Sequence, residues 1–103
     1  MRSVIVRYRV KPDRAGENEN LIRGVYDELH RAAPAGFRYA TYRMEDGVSF
    51  VHFAIDETDD GHNPLNDLSA FGAFQEHIGD RCDEPPVVSE LRRVGSYRLG
   101  DDV

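Results

Sequence analysis

G-V-S-F-V-H-F-A-I-D, residues Gly47–Asp56, alternates with period two, yet both alternating sets are largely apolar. Val51, Phe53 and Ile55 form one set; Val48, Phe50, His52 and Ala54 form the other. A period-two run with two apolar faces is a strand covered on both sides. In a chain of 103 residues the protein's own helices can cover one side. What covers the other side is the functional question.

Upstream of this strand, Glu45-Asp46-Gly47 carries the Asp-Gly hairpin signal, so Phe37–Met44 (F-R-Y-A-T-Y-R-M) reads as its antiparallel partner. Ser3–Val10 sets Val4, Val6, Tyr8 and Val10 against Ile5, Arg7 and Arg9, a strand with one clean buried face. Asp13 is placed to cap a helix from Arg14 to Ala33, with Leu21, Ile22, Val25, Tyr26, Leu29 and Ala32 at helical spacing. Ala33-Pro34-Ala35-Gly36 breaks it. Downstream comes an acidic loop, Asp56–Asn63, then an irregular turn at Leu65–Leu68. Ser69 is expected to cap a second helix whose stripe is Phe71, Phe74, Ile78 and Cys82, terminated by Asp83–Pro86. Val87–Leu99 supplies the last strand, bent near Gly95.

The order βαββαβ folds most simply as a ferredoxin-like α+β domain, a four-stranded antiparallel sheet with both helices on one face. Residues 1–103 make one domain. Each helix has a single apolar stripe, so the face carrying Val48, Phe50, His52 and Ala54 is expected to lack cover from this chain. An exposed apolar sheet face marks a binding surface.

Composition narrows what binds there. The net charge of −6 argues against nucleic acid or an anionic membrane as partner. Twelve of the thirteen basic residues are Arg, which reads as coding bias before chemistry. The N-terminal stretch has only three consecutive apolar residues, too few for a signal peptide, so a cytoplasmic protein is the expectation. Cys82 is alone and forms no internal disulfide. Gly47–Phe53 approaches the RNP1 signature of RNA-recognition domains, but Asp46 replaces its basic residue, Val48 a stacking aromatic, and Ile5 stands where the second platform aromatic belongs. Asp56, Thr58, Asp60, Gly61 and Asp67 loosely mimic a calcium loop around Glu57 and Asp59. Its twelfth position is Asp rather than bidentate Glu, and a strand stands where the entering helix belongs, so it reads as a solvated acidic loop and no metal site is expected.

The chain resembles the dimeric α/β-barrel superfamily that includes the antibiotic-biosynthesis monooxygenases. The resemblance rests on Pro34-Ala35-Gly36-Phe37-Arg38, on Phe50-Val51-His52-Phe53, on Ser69-Ala70-Phe71-Gly72-Ala73-Phe74-Gln75 and on Gly95-Ser96-Tyr97-Arg98. It implies a homodimer whose open sheet faces pack together, with a pocket in each subunit and no cofactor. It also implies cofactor-independent oxygenase or isomerase chemistry on a small aromatic or polyketide-like compound. The family's phenol-oxidising and haem-degrading members rely on a tryptophan, and this chain has none. Fold does not carry activity. A non-catalytic ligand-binding or structural dimer therefore stands beside the enzyme.

For the enzyme, His52 is the candidate catalytic residue, an imidazole that apolar surroundings would keep neutral and able to accept a proton from a phenol or enol. Phe50 and Ala54 would flank it. Arg7, Arg38, Tyr39 and Tyr42 on the neighbouring strands are candidates to complete the pocket, according to the strand register. His62 is the candidate lid residue.

Overall fold

The computed structural model describes residues 1–58 and 60–99. Its strands are β1 (Arg2–Val10), β2 (Phe37–Arg43), β3 (Ser49–Asp56) and β4 (Cys82–Leu91). The helices are α1 (Ala15–Ala32), α2 (Ser69–Gln75) and α3 (Ile78–Arg81). All pairings are antiparallel in the order β2-β3-β1-β4, and the element order is the expected ferredoxin-like βαββαβ.

The hairpin forms where the Asp-Gly signal places it. Gly47 takes φ 79°, a left-handed conformation that costs glycine nothing. The Asp46 carboxylate accepts from the backbone of Val48 and Ser49 and from the Ser49 hydroxyl (2.9, 2.8 and 2.6 Å), which holds its pKa below the usual carboxylate value. This register sets Thr41 opposite His52 and Arg38 opposite Ile55. Across β1, Tyr8 faces Phe50, Val6 faces His52 and Arg7 faces Val51.

Directly opposed residues share a sheet face, so these pairs settle which face is inside. The core holds Tyr8, Val10 and Phe50 from the sheet against Ala15, Ile22 and Val25 of α1, with Leu65, Leu68 and Phe74 from the second crossover. Phe50 and His52 are buried and Val48 and Ala54 half-buried, all on the helix side. The expectation for β3 is thus inverted: the open face carries Val51, Phe53 and Ile55. Alternation alone could not decide this, because both sets are apolar. Inverting the face also puts Phe50 under the helices, out of reach of the base stacking that an RNP1 strand performs.

Three helix boundaries differ from expectation. Pro12–Arg14 forms a 3-10 turn, and Asp13 caps nothing: α1 starts with no side-chain cap. The start of α2 is capped from outside, the Glu28 carboxylate of α1 accepting from the Ala70 and Ser69 backbone (2.7 and 3.3 Å) and the Ser69 hydroxyl (3.1 Å). That arrangement ties α1 to α2 and lowers the Glu28 pKa. The second helix does not run on to Cys82. It stops after Gln75, and His77 turns the chain with φ 61° before the single turn of α3.

The expected terminator, Asp83–Pro86, is instead strand. β4 begins at Cys82, pairs Cys82 with Val10 and Glu84 with Arg9, and shifts register on either side of Arg9. Pro85 and Pro86 are tolerated because β4 is an edge strand beside such an irregularity, where their missing N–H groups break no ladder. The strand ends at Leu91, and Val94, Tyr97 and Leu99 beyond it are exposed. Among the described residues no helix is long and apolar enough to cross a membrane.

Candidate functional site

Turned inward, His52 is only 4% exposed. Its Nε2 lies 2.8 Å from the Tyr8 hydroxyl, and its Nδ1 lies 2.6 Å from Tyr39 and 3.0 Å from Thr41. The network continues at both ends. Asn18 Nδ2 donates to the Tyr8 hydroxyl (2.9 Å), and Arg81 Nε donates to Asn18 Oδ1 (3.2 Å). At the other end, Thr41 bonds the Tyr26 hydroxyl (2.8 Å). Tyr8 stacks on Phe50 with ring centroids 5.6 Å apart, and Tyr39 stacks on Tyr26 at 5.3 Å.

Arginine has donors only, and this gives the chain of hydrogen bonds a direction. The Asn18 oxygen must face Arg81, so its NH2 faces Tyr8. Tyr8 accepts that bond, and its own O–H finds an acceptor when it donates to His52 Nε2. In that arrangement the imidazole proton is on Nδ1, facing Tyr39 and Thr41. Burial lowers the His52 pKa to about 4 and raises those of Tyr8 and Tyr39. All three rings are neutral at neutral pH.

Arg81, 1% exposed, is the anchor. Besides Asn18, its guanidinium donates to the carbonyls of Phe74 and Glu76 and lies over the Phe74 ring. It forms no ion pair among the described residues. The carbonyls at the end of α2 supply the negative partial charge instead. By taking those carbonyls, Arg81 also accounts for the break between α2 and α3.

The remaining candidates separate into two places. Arg7, Arg38 and Tyr42 lie on the open face, Tyr42 60% exposed and Arg38 bonded through Nε to Glu57 at 2.7 Å. Arg7 lines a groove of about 740 Å³ with Ile5 and Val87, while Arg38 and Tyr42 line another of about 610 Å³ with Phe53 and Ile55. Ala54 and His62 instead meet in a cleft of about 250 Å³ on the helix side, at the end of the sheet, with Gly61 also lining it. Val4 and Phe37 complete its apolar floor; Asp56, Thr58 and Asn63 contribute polar groups. His52 and Phe50 line none of these three cavities.

Tyr8, Asn18, Thr41 and Arg81 escape the sequence reading. Tyr8 gave a signal, since it lies on the buried face of β1. Asn18 and Arg81 gave none, because each is justified only by the other.

In the acidic loop, the Thr58 hydroxyl bonds Asp56 (2.6 Å) and Asp60 (3.0 Å), and the Asp60 carboxylate accepts from the His62 backbone (3.0 Å). Asp59 lies outside the described residues. Cys82 is half-buried, and burial raises its thiol pKa.

No protein-family profile matches the chain, and no curated protein matches it. Solved structures do. A Nitrosomonas europaea protein assigned by name to the antibiotic biosynthesis monooxygenases superposes with TM-score 0.76 at 18% identity, over 92% of this chain and 100% of its own. This chain has the antibiotic biosynthesis monooxygenase fold. Rv0793 from Mycobacterium tuberculosis is similar at TM-score 0.74 and 20% identity, over 92% of this chain and 96% of that one. A protein of unknown function from Nitrosomonas europaea shares the fold at TM-score 0.73 and 12% identity, over 97% and 95%. Such likeness establishes architecture, and the chemistry has to be argued from the side chains.

Proposed function

We propose that this chain is a homodimeric small-molecule-binding protein that takes a one- or two-ring aromatic compound in the cleft between Val4, Ala54 and His62. The observation that supports this most is the cleft's make-up. Val4, Phe37 and Ala54 form an apolar floor, and Asp56, Thr58, His62 and Asn63 bring polar groups to it, the usual composition of a ligand site. Its volume sets the ligand size. An apolar cavity of about 150 Å³ holds benzene, so about 250 Å³ suits two rings at most. A larger polyketide would need space beyond it.

The probe is 2-naphthol. Its fluorescence should change on titration and saturate at one site per chain, and amide signals of Val4 and Ala54 should shift in NMR spectra. Ala54→Phe fills the floor and should abolish the response while leaving the circular dichroism unchanged. Binding that survives Ala54→Phe would place the ligand elsewhere.

Dimerisation would cover the open face, where Val51 and Ile55 are half-buried and Phe53, Tyr42, Val87 and Leu91 are exposed. It would also close the grooves holding Arg7, Arg38 and Tyr42. Light scattering at micromolar concentration is expected to give twice the chain mass. Phe53→Asp should give the monomer, because a carboxylate at a dry seam is unpaired. Phe50, under the helices, is the wrong residue for that test. A wild-type monomer would overturn the dimer.

A further inference from the structure

His62 lines the same cleft, and its Nε2 lies 2.7 Å from Asp67 Oδ2. A carboxylate only accepts, so the neutral imidazole keeps its proton on Nε2 and leaves the Nδ1 lone pair available. We propose that His62, oriented by Asp67, is a proton acceptor for the hydroxyl of a phenol or stable enol bound in the cleft. This rests on the cleft being the ligand site.

Three observations converge on that assignment. The first is location: His62 stands beside the apolar floor of Val4, Phe37 and Ala54, which would hold a ring. The second is positioning. The His62 backbone N–H is held by Asp60, the Asn63 side chain accepts from the Leu65 N–H (3.0 Å), and Asp67 ends the 3-10 turn Pro64–Asp67 that follows. Both members of the pair therefore lie on one short, internally bonded segment. The third is the contrast with His52, whose two nitrogens are both engaged inside the core.

The step balances as a simple proton transfer. The phenol O–H bond breaks, its electron pair remains on oxygen, and the proton passes to His62 Nδ1. The resulting imidazolium is stabilised by Asp67. Asp67, then Asp60 and Asp56, raise the His62 pKa, while Arg2, paired with Glu90, lines the same cleft. Proton uptake by this route needs neutral His62, so it should strengthen as pH rises through the His62 pKa, which the Asp67 hydrogen bond raises from the ordinary imidazole value. Asp67→Asn should move that dependence to lower pH.

The test uses 4-nitrophenol, whose anion is yellow and whose ionisation is read directly by absorbance. Bound nitrophenol should be more ionised than free nitrophenol at the same pH, with a midpoint following that of His62 measured by NMR. His62→Gln should lose the added ionisation, whereas Asp67→Asn should retain it with a shifted midpoint. Nitrophenol that binds, is displaced by Ala54→Phe, and ionises identically in wild type and His62→Gln would overturn the proton-acceptor role and leave the cleft reading intact. Absence of binding by both nitrophenol and 2-naphthol would overturn both.

Discussion

Arg81→Met should lower the unfolding free energy by about 3 kcal/mol, roughly the loss of several charge-assisted hydrogen bonds from a buried site. Methionine matches the length and apolar character of the arginine stem but has no donor. Asn18 Oδ1 and the Phe74 carbonyl would lose their partner inside the core, and the half-buried Glu76 carbonyl would lose its own. Because the guanidinium forms no ion pair among the described residues, its removal leaves no orphaned carboxylate. That keeps the cost below the upper end measured for broken buried salt bridges. Arg81→Lys should recover little, since one ammonium cannot present the planar fork that reaches three acceptors in different directions. Urea unfolding near neutral pH measures both variants. If Arg81→Met unfolds within about 0.5 kcal/mol of wild type, surface-like behaviour follows and the anchor role fails.

The ease of reading different parts of this fold follows from the range of the interactions that set them. The β2–β3 hairpin is local: Asp46 and Gly47 supply both the turn conformation and its hydrogen bonds, so four neighbouring letters suffice. Helix α1 is legible for the same reason, its inward Ile22 and Val25 being set by spacing alone. The orientation of β3 is not local. Val51 and Phe53 are as apolar as Phe50, and only pairing across to Tyr8 tells which set faces the helices. The α2–α3 break is less local still. The apolar stripe Phe71, Phe74, Ile78 continues through it, and what stops the helix is a guanidinium seated against the end of α2 and tied to Asn18 of α1. His62 was legible as a residue of a loop near the pocket, whereas its pairing with Asp67 depends on the 3-10 turn between them.

The largest pH effect should come from His52. Its pKa is about 4 in the folded protein against an ordinary value of 6.5, so the unfolded chain takes up the proton first as pH falls. The stability linked to this group is therefore fully present above pH 6.5 and is lost progressively down to pH 4. A gap of about 2.5 units corresponds to about 3 kcal/mol, a large share of the 5–15 kcal/mol typical of a small domain. Desolvation is the main cause of the depressed value, and hydrogen-bond direction adds a second obstacle. A cationic ring carries a proton on Nε2, where Tyr8 already directs its own, and Asn18 and Arg81 hold Tyr8 in that sense. Carboxylates also titrate over this range, so the test compares wild type with His52→Gln, whose amide has both an acceptor and a donor but no charge to gain. Near pH 7 the variant should be less stable by about 2 kcal/mol through imperfect bonds to Tyr8 and Tyr39. Near pH 4 that deficit should vanish or reverse, because only the wild type has lost the histidine contribution. Parallel urea curves at the two pH values, with the same deficit at each, would mean that His52 titrates normally and that the buried network does not hold it neutral.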